Sequence, residues 1–187
     1  MISLNKNEKF TAKPLIFSLA ILIIAVNPFF EDLEFSSPVA YMIGHYLVYF
    51  SGIYLGYRYF KGSVLSMLIG IIPPIIWHTP YFFALGAAFI PYRIILEITM
   101  FIGGLLAGSA IRYVRLYLKI TLFALWMLGD SVLAILFIVS DPLYSNLVYQ
   151  FSPYYPSSLP LAGVAMFIVM NIFLGYVISK YIKGIIG

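Results

Sequence analysis

Long apolar runs dominate this sequence, and prolines and short groups of charged residues separate them. One helical crossing of a bilayer takes about 20 apolar residues. Inside hydrocarbon a segment must satisfy its own backbone polar groups, which favours helices. Charged residues make up only 10% of the 187 residues, whereas a soluble domain carries about 25%. The sequence therefore predicts an all-α, polytopic protein of the cell membrane that contacts the lipid bilayer.

The apolar runs predict a six-helix bundle that forms one transmembrane domain over residues 1–187. The predicted spans are 14–30, 38–60, 63–89, 91–114, 116–140 and 159–178. The third span contains Pro73, Pro74 and Pro80, each of which lacks a backbone N–H and clashes with the preceding turn. We therefore expect this helix to bend or break, as helices that line cavities in membranes often do.

Basic residues predict the orientation of the bundle, because cytoplasmic loops are enriched in lysine and arginine. All except one lie before span one, between spans two and three, between spans four and five, or after span six. Six spans with both termini in the cytoplasm bring these clusters to one side. Four outer acids, Glu31, Asp32, Glu34 and Asp141, and the remaining base, Arg93, fall on the other side. Basic residues in short clusters, rather than on one face, argue against binding to nucleic acid.

Ionisable side chains inside the predicted spans are the main functional signal, since each costs several kcal/mol in a bilayer unless it is paired or hydrated. Counted at about 1.5 Å per helical residue, four of them lie at similar depths in the outer half. They are His45, His78, Glu97 and Asp130. A helical bundle can bring such groups together in its interior.

The two histidines are the candidate ligands. Two imidazoles at matched depth on neighbouring helices can ligate haem iron or copper. We therefore predict that His45 and His78 bind haem b or copper near the outer face. Two other interpretations stay open: the histidines only hold helices together by hydrogen bonds, or they belong to a pathway for protons or a solute.

Further polar residues are predicted to support the histidines. Arg93 and Glu97 lie one turn apart and can pair along one helix face, or Glu97 can accept a hydrogen bond from a ligating histidine. Asp130 has no basic residue one turn away, so it needs a partner on another helix, for which either histidine is a candidate. Tyr41 and Tyr49 share the helical stripe of His45. The predicted supporting shell is Arg93, Glu97, Asp130, Tyr41 and Tyr49.

Signals for catalysis are weak. The chain has no cysteine, which excludes disulfides, thiolate metal sites and cysteine nucleophiles. Ser109 lies near the inner end of span four, too far from the histidines for a serine–histidine dyad. Asp130 has no second embedded aspartate to share a proton with. We predict no catalytic residue and expect a non-enzyme more than an enzyme.

Two other features predict contacts. Gly103, Gly104 and Gly108 form a surface of small residues on span four, which is typical of close helix packing. We expect other membrane subunits to bind there. The outer loop 141–158 is rich in tyrosine and proline, which suits the headgroup region, and we expect it to cap the bundle.

Short motifs carry a resemblance to a known group of proteins. They are Gly44-His45-Tyr46 through Ser51-Gly52, His78-Thr79-Pro80 with Phe82 to Ala84, Arg93 to Glu97, and Asp130. On these residues the chain resembles a small, uncharacterised family of archaeal six-span membrane proteins of similar length. More distantly, paired histidines in neighbouring spans are similar to CtaG-type proteins, which assist copper insertion into haem-copper oxidases. That resemblance implies an accessory subunit or assembly factor of a respiratory complex.

Two alternative functions are compatible with the same sequence. A six-span chain of this length with both termini inside is similar to the substrate-binding component of energy-coupling-factor vitamin transporters. In that case the outer polar layer binds a small solute beneath the aromatic loop. The other alternative is a structural membrane subunit without a ligand, in which the histidines serve only as hydrogen-bonding groups.

Overall fold

The computed structural model describes residues 2–4 and 11–186. Lys6 and Lys9, two of the predicted cytoplasmic lysines, lie outside the described residues. The described chain is all-α, as predicted, apart from one pair of two-residue strands. Its elements are β1 Ser3–Leu4, α1 Ala12–Ala25, α2 Pro28–Ser36, α3 Pro38–Tyr59, β2 Phe60–Lys61, α4 Val64–Trp77, α5 Pro80–Ala88, α6 Ile90–Ala110, α7 Leu116–Ile138 and α8 Leu159–Ile186. Two short 3-10 turns, Pro142–Tyr144 and Pro156–Ser158, lie between α7 and α8.

Within the described residues, three helices are long and apolar enough to cross a membrane: α6, α7 and α8, the last counted over 156–179. Two bent pairs, α1 with α2 and α4 with α5, meet the same criteria if each pair is one broken span. That gives up to five candidate spans. α3 is not among them, although its 22 residues are about 33 Å long at 1.5 Å per residue. It packs against α1, α2, α6 and α8, so much of its surface faces protein and includes polar residues.

The predicted first span, 14–30, is wrong at its outer end, because the chain bends by 48° between α1 and α2. The side chain of Asn27 accepts a hydrogen bond from the backbone N–H of Phe30 at 3.1 Å, and Pro28 follows as the first residue of α2. An asparagine cap followed by proline starts a new helix. Span four is also shorter than predicted, since α6 ends at Ala110.

The break expected in the third span is confirmed, with α4 and α5 bent by 75°. Pro73 and Pro74 lie inside α4, and the break falls at 78–79, just before Pro80. Pro80 has no N–H to bond the carbonyl of Ile76. That carbonyl instead accepts from the backbone N–H of Thr79 at 3.1 Å and from its hydroxyl at 2.7 Å.

Glycines let α3 and α6 approach each other closely. A Cβ atom at Gly104 would overlap the carbonyl oxygen of Tyr49, and one at Gly108 would overlap that of Ile53. On the adjoining side of α6, a Cβ at Gly103 would lie 2.8 Å from the carbonyl oxygen of Gly70 in α4. The expectation that other subunits bind this glycine surface is therefore wrong, because α3 and α4 already cover it.

The two ends of the bundle differ in charge. At one end β1 pairs with β2, and the backbone N–H of Gly62 donates to the carbonyl of Ser109 at 2.9 Å. This end carries the basic residues Arg58, Lys61, Arg112 and Arg115. At the opposite end, α2, the segment 139–158 and the beginning of α6 meet. These basic residues and the acidic residues Glu31, Glu34 and Asp141 thus lie at opposite ends of the bundle.

The segment between α7 and α8 covers the second end of the bundle, as expected. Tyr144 and Tyr154 are buried. The ring of Tyr154 lies 5.9 Å from the rings of both Tyr41 and Phe83, and the ring of Tyr144 lies 5.5 Å from that of Phe83. Aromatic contacts of this kind attach the loop to α3 and α5.

Gly104→Ala tests the close contact between α3 and α6. Because the added methyl group overlaps backbone, we expect a loss of about 1–3 kcal/mol in the free energy of unfolding. The matched control is Gly129→Ala, since a Cβ there meets nothing within 4 Å. Thermal unfolding in detergent measures both variants. Equal melting temperatures for Gly104→Ala and Gly129→Ala would contradict this packing.

Candidate functional site

His45 and His78 lie side by side in the half of the bundle that α2 and the segment 139–158 cover. Their ring centroids are 5.4 Å apart, and the rings are nearly perpendicular. His45 belongs to α3 and is 2% exposed, whereas His78 is the residue at the break between α4 and α5. The two residues that the sequence singled out by depth are therefore neighbours in space.

The break fixes the ring of His78. Its Nδ1 atom lies 2.6 Å from the carbonyl oxygen of Pro74. A carbonyl only accepts hydrogen bonds, so we assign the ring proton to Nδ1. In the neutral ring Nε2 then carries a lone pair. Nε2 is buried and has no hydrogen-bond partner among the described residues.

His45 has more unused capacity. Neither Nδ1 nor Nε2 has a hydrogen-bond partner within the described part of the chain, and both atoms are buried. The ring of Tyr41, one turn earlier, lies 4.3 Å away. Buried polar atoms are nearly always hydrogen-bonded in folded proteins. Together with Nε2 of His78, three imidazole nitrogens are therefore available to a water, an ion or another ligand.

Asp130 has the interhelical partner that the sequence required, but it is neither histidine. The hydroxyl of Tyr46 donates to Oδ2 of Asp130 at 2.8 Å. His78 is close enough to interact with this carboxylate electrostatically. Tyr46 was not predicted as this partner, although it directly follows His45 and its hydroxyl reaches Asp130 on α7. The available signal was a tyrosine at the depth of an otherwise unpartnered aspartate.

Arg93 binds the end of the broken helix. Its Nε and Nη2 atoms donate to the carbonyls of Gly86 and Ala87 at 3.1 and 2.8 Å, and Nη1 donates to the carbonyl of Glu31 at 3.2 Å. Nη1 also lies 3.6 Å from Oε2 of Glu34. Gly86 and Ala87 lie in the last turn of α5, which ends at Ala88, and carbonyls in the last turn of a helix lack helical partners. A cation at the C-terminal end of a helix also interacts favourably with the helix dipole.

The predicted pairing of Arg93 with Glu97 is wrong. Arg93 forms its salt bridge with Glu34 on α2, because its guanidinium turns towards the free carbonyls of α5. Glu97 instead lies half-buried in a groove between α1 and α6. It makes no hydrogen bond with either histidine in the described structure, so no observed contact supports its predicted role beside the histidines.

The two predicted tyrosines have different positions. Tyr41 stacks on His45, and its hydroxyl donates to the carbonyl of Phe83 at 3.2 Å. The hydroxyl of Tyr49 donates to the carbonyl of Gly70 at 3.1 Å and so joins α3 to α4. Tyr41 is therefore a neighbour of the histidines, whereas Tyr49 is a contact between helices.

Glu34 was counted only as an outer-loop charge, yet it is 4% exposed. A Cβ at Gly44 would overlap its carboxylate, so this glycine provides the space for Glu34. The hydroxyl of Tyr154 donates to the backbone carbonyl of Glu34. The Asn27-Pro28 pair was the one sequence signal that a separate helix begins there and turns Glu34 inward.

The hydrogen bond of Tyr144 to the broken helix was not predicted from the sequence. Its hydroxyl donates to the carbonyl of His78 at 3.1 Å. Burial raises the pKa of Tyr144 to about 12, so the hydroxyl keeps its proton at neutral pH. The outer loop is thereby attached directly to the break that carries His78.

No group of three or more His, Cys, Asp or Glu side chains that could hold a metal ion occurs among the described residues. Of these four residue types, only the two histidines would therefore bind an ion between their rings, within the described residues. Copper accepts imidazole ligands.

Residues 16–184 match a family described as "Protein of unknown function (DUF1404)". No curated protein and no solved structure is significantly similar to the chain.

Arg93→Met tests the buried ion pair. It leaves the carboxylate of Glu34 and three carbonyls without their donor, so we expect a loss of about 3–5 kcal/mol in the free energy of unfolding. Arg115→Met, at an exposed arginine, is the matched control and should leave the melting temperature nearly unchanged. The double variant Arg93→Met with Glu34→Gln should be less destabilised than the two single losses added together. Additive losses would contradict a direct interaction between Arg93 and Glu34.

Proposed function

We propose that this chain, which belongs to the DUF1404 family of proteins of unknown function, binds one copper ion between His45 and His78. The observation that carries the proposal is the set of buried imidazole nitrogens without hydrogen-bond partners on two adjacent rings. A bound ion gives Nε2 of His78 and one ring nitrogen of His45 the partner that the described residues do not supply.

The distance between the rings supports a single small ion. Two imidazoles that bind one ion through bonds of about 2.0 Å have ring centroids roughly 5–6 Å apart. The observed separation is 5.4 Å. Haem b would need a porphyrin plane between the two rings, and α3 would have to move away from the α4–α5 break to admit it. The geometry therefore favours copper over haem b.

The surroundings of His78 also support ligation. Histidines that bind metals usually donate their other ring N–H to a carbonyl or a carboxylate, which fixes the tautomer and orients the ring. The contact of His78 Nδ1 with the carbonyl of Pro74 has this form. Tyr144 and Tyr41 hold the backbone on either side of the break, through the carbonyls of His78 and Phe83.

We infer six spans in the cell membrane, with both termini in the cytoplasm. α1 with α2, α3, α4 with α5, α6, α7 and α8 are the proposed spans. The separation of basic and acidic residues between the two ends supports this topology, because cytoplasmic loops are enriched in lysine and arginine. The copper ion then lies near the outer face.

The native absence of cysteine makes the topology easy to test. Ser36→Cys and Ser63→Cys introduce single thiols at exposed serines, one at each end of the bundle. A membrane-impermeant maleimide applied to intact cells should label Cys introduced at position 36 and not at position 63. Both should react after the membrane is permeabilised. Labelling at position 63 in intact cells would contradict the proposed orientation.

We propose that the protein is an accessory subunit or assembly factor of a respiratory complex in an archaeal membrane. The support is the resemblance to CtaG-type proteins, in which paired membrane histidines accompany copper insertion. The proposal assigns binding and transfer of an ion and no catalysed reaction.

Elemental analysis after purification in mild detergent tests the copper site. We expect about one copper per chain, because the two histidines form a single pair. His45→Gln and His78→Gln should each reduce bound copper to background, since one imidazole is a weak site. His45 and His78 are the only histidines, so the purification tag must contain none. Trp77→Phe is the matched control: Trp77 precedes His78, but its indole N–H donates to Thr99 at 2.8 Å.

Three results would overturn the copper proposal and favour another function. A Soret band with stoichiometric iron would identify haem. A tightly bound vitamin-like molecule without metal would favour the solute-binding component of a transporter. Absence of any ligand, with full stability of both glutamine variants, would favour a structural subunit.

A further inference from the structure

A groove between α1 and α6 lies apart from the histidines and has a mixed lining. Its volume is about 380 Å³. Among the described residues that line it, Glu97 carries the one charged group, and the others are apolar: Leu22, Val26, Ile98, Phe101 and Ile102. A water molecule occupies about 30 Å³ in the liquid, so the groove has room for about a dozen groups of methylene size. That is the size of one alkyl chain.

Glu97 forms neither a hydrogen bond nor a salt bridge among the described residues. Arg93, one turn away, acts on it electrostatically, but the Arg93 guanidinium is bound to Glu34 and three backbone carbonyls. A carboxylate in an apolar membrane environment is costly unless a cation or donor accompanies it. The carboxylate of Glu97 therefore has no donor in direct contact within the described part of the chain.

The groove also has a polar end and an apolar end. Val26 follows the last residue of α1, next to α2, and Glu31 of α2 is close enough to act on Glu97 electrostatically. Phe101 and Ile102 lie more than one turn further into α6 than Glu97. Two acidic groups thus lie towards the outer end and the apolar side chains towards the middle of the bundle. This is the order of headgroup and chain in an outer-leaflet lipid.

We propose that this groove binds one membrane phospholipid with a primary ammonium headgroup, of the phosphoethanolamine type. The ammonium group donates to the carboxylate of Glu97 and lies in the field of Glu31, and one hydrocarbon chain of the lipid lies along Ile98, Phe101 and Ile102. A cation at this position also offsets the repulsion between the two carboxylates. The lipid attaches α1 to α6 from the bilayer side and is independent of the histidine pair.

Native mass spectrometry of the full chain tests the lipid site. The probes are dioleoyl phosphatidylethanolamine, phosphatidylcholine and phosphatidylglycerol, added singly to delipidated protein in the same detergent. We expect one phosphatidylethanolamine per chain, bound about tenfold more tightly than either other lipid, because only its headgroup donates charge-assisted hydrogen bonds. Glu97→Gln should remove this preference. Asp32→Asn removes an exposed charge of α2 outside the groove and should preserve it.

A second variant separates the headgroup from the chain. Leu22→Trp fills the groove without changing its charge and should weaken binding of all three lipids at this site. Circular dichroism and thermal unfolding show that each variant is folded before lipid is added. Equal binding of the three lipids to the native chain, or an unchanged preference in Glu97→Gln, would overturn the proposal. The latter result would mean that the carboxylate of Glu97 does not select the headgroup.

Discussion

A helix that breaks inside a membrane leaves backbone carbonyls without helical partners, and hydrocarbon offers no water to bind them. The break between α4 and α5 imposes this constraint on the rest of the bundle. Side chains from three other parts of the chain, and from the break itself, bind backbone carbonyls of α4 and α5 or of the residues between them. The donors are Tyr49 and Tyr41 of α3, Arg93 of α6, Tyr144 of the outer loop, and Thr79 and His78 at the break itself. Side-chain donors from α3, α6 and the segment between α7 and α8 thus hold this broken helix in place.

This constraint divides the polar residues into two groups. Arg93, Tyr41 and Tyr49 use their donors on backbone carbonyls, so their burial has a structural explanation. His45 and Nε2 of His78 have no such partner within the described residues, and their burial has none. The proposed copper site rests on this difference. A residue's presence inside the membrane is weaker evidence of function than its unused hydrogen-bonding capacity.

Much of the bundle was predictable from the sequence, because helix length, proline and depth follow from local patterns. Pro80 predicted the break, and the matched depths of His45 and His78 predicted their encounter. The partner of Arg93 was not predictable. Glu97, one turn away on the same helix, was the nearest acid in sequence, but the free carbonyls of α5 turned the guanidinium towards Glu34.

Other errors share that origin. The glycines of α6 indicated close packing, but spacing along one helix does not identify the neighbour, which proved to be α3 on one side and α4 on the other. The Asn27-Pro28 pair contained the signal for a separate α2, but the apolar run across it concealed the new helix. Sequence therefore predicted which residues matter at each depth better than it predicted which residues meet.

The proposed copper site requires that His45 and His78 present free nitrogens to one shared ion. Nitrogen-15 NMR of protein labelled only at histidine tests it directly, because the chain has two histidines and four ring nitrogens. We expect a proton on Nδ1 of His78 before metal is added, because that atom contacts the carbonyl of Pro74. One equivalent of copper(I) should then shift Nε2 of His78 and one nitrogen of His45 together, with no further change at higher ratios. Independent shifts of the two residues, or no response to copper(I), would contradict the shared site.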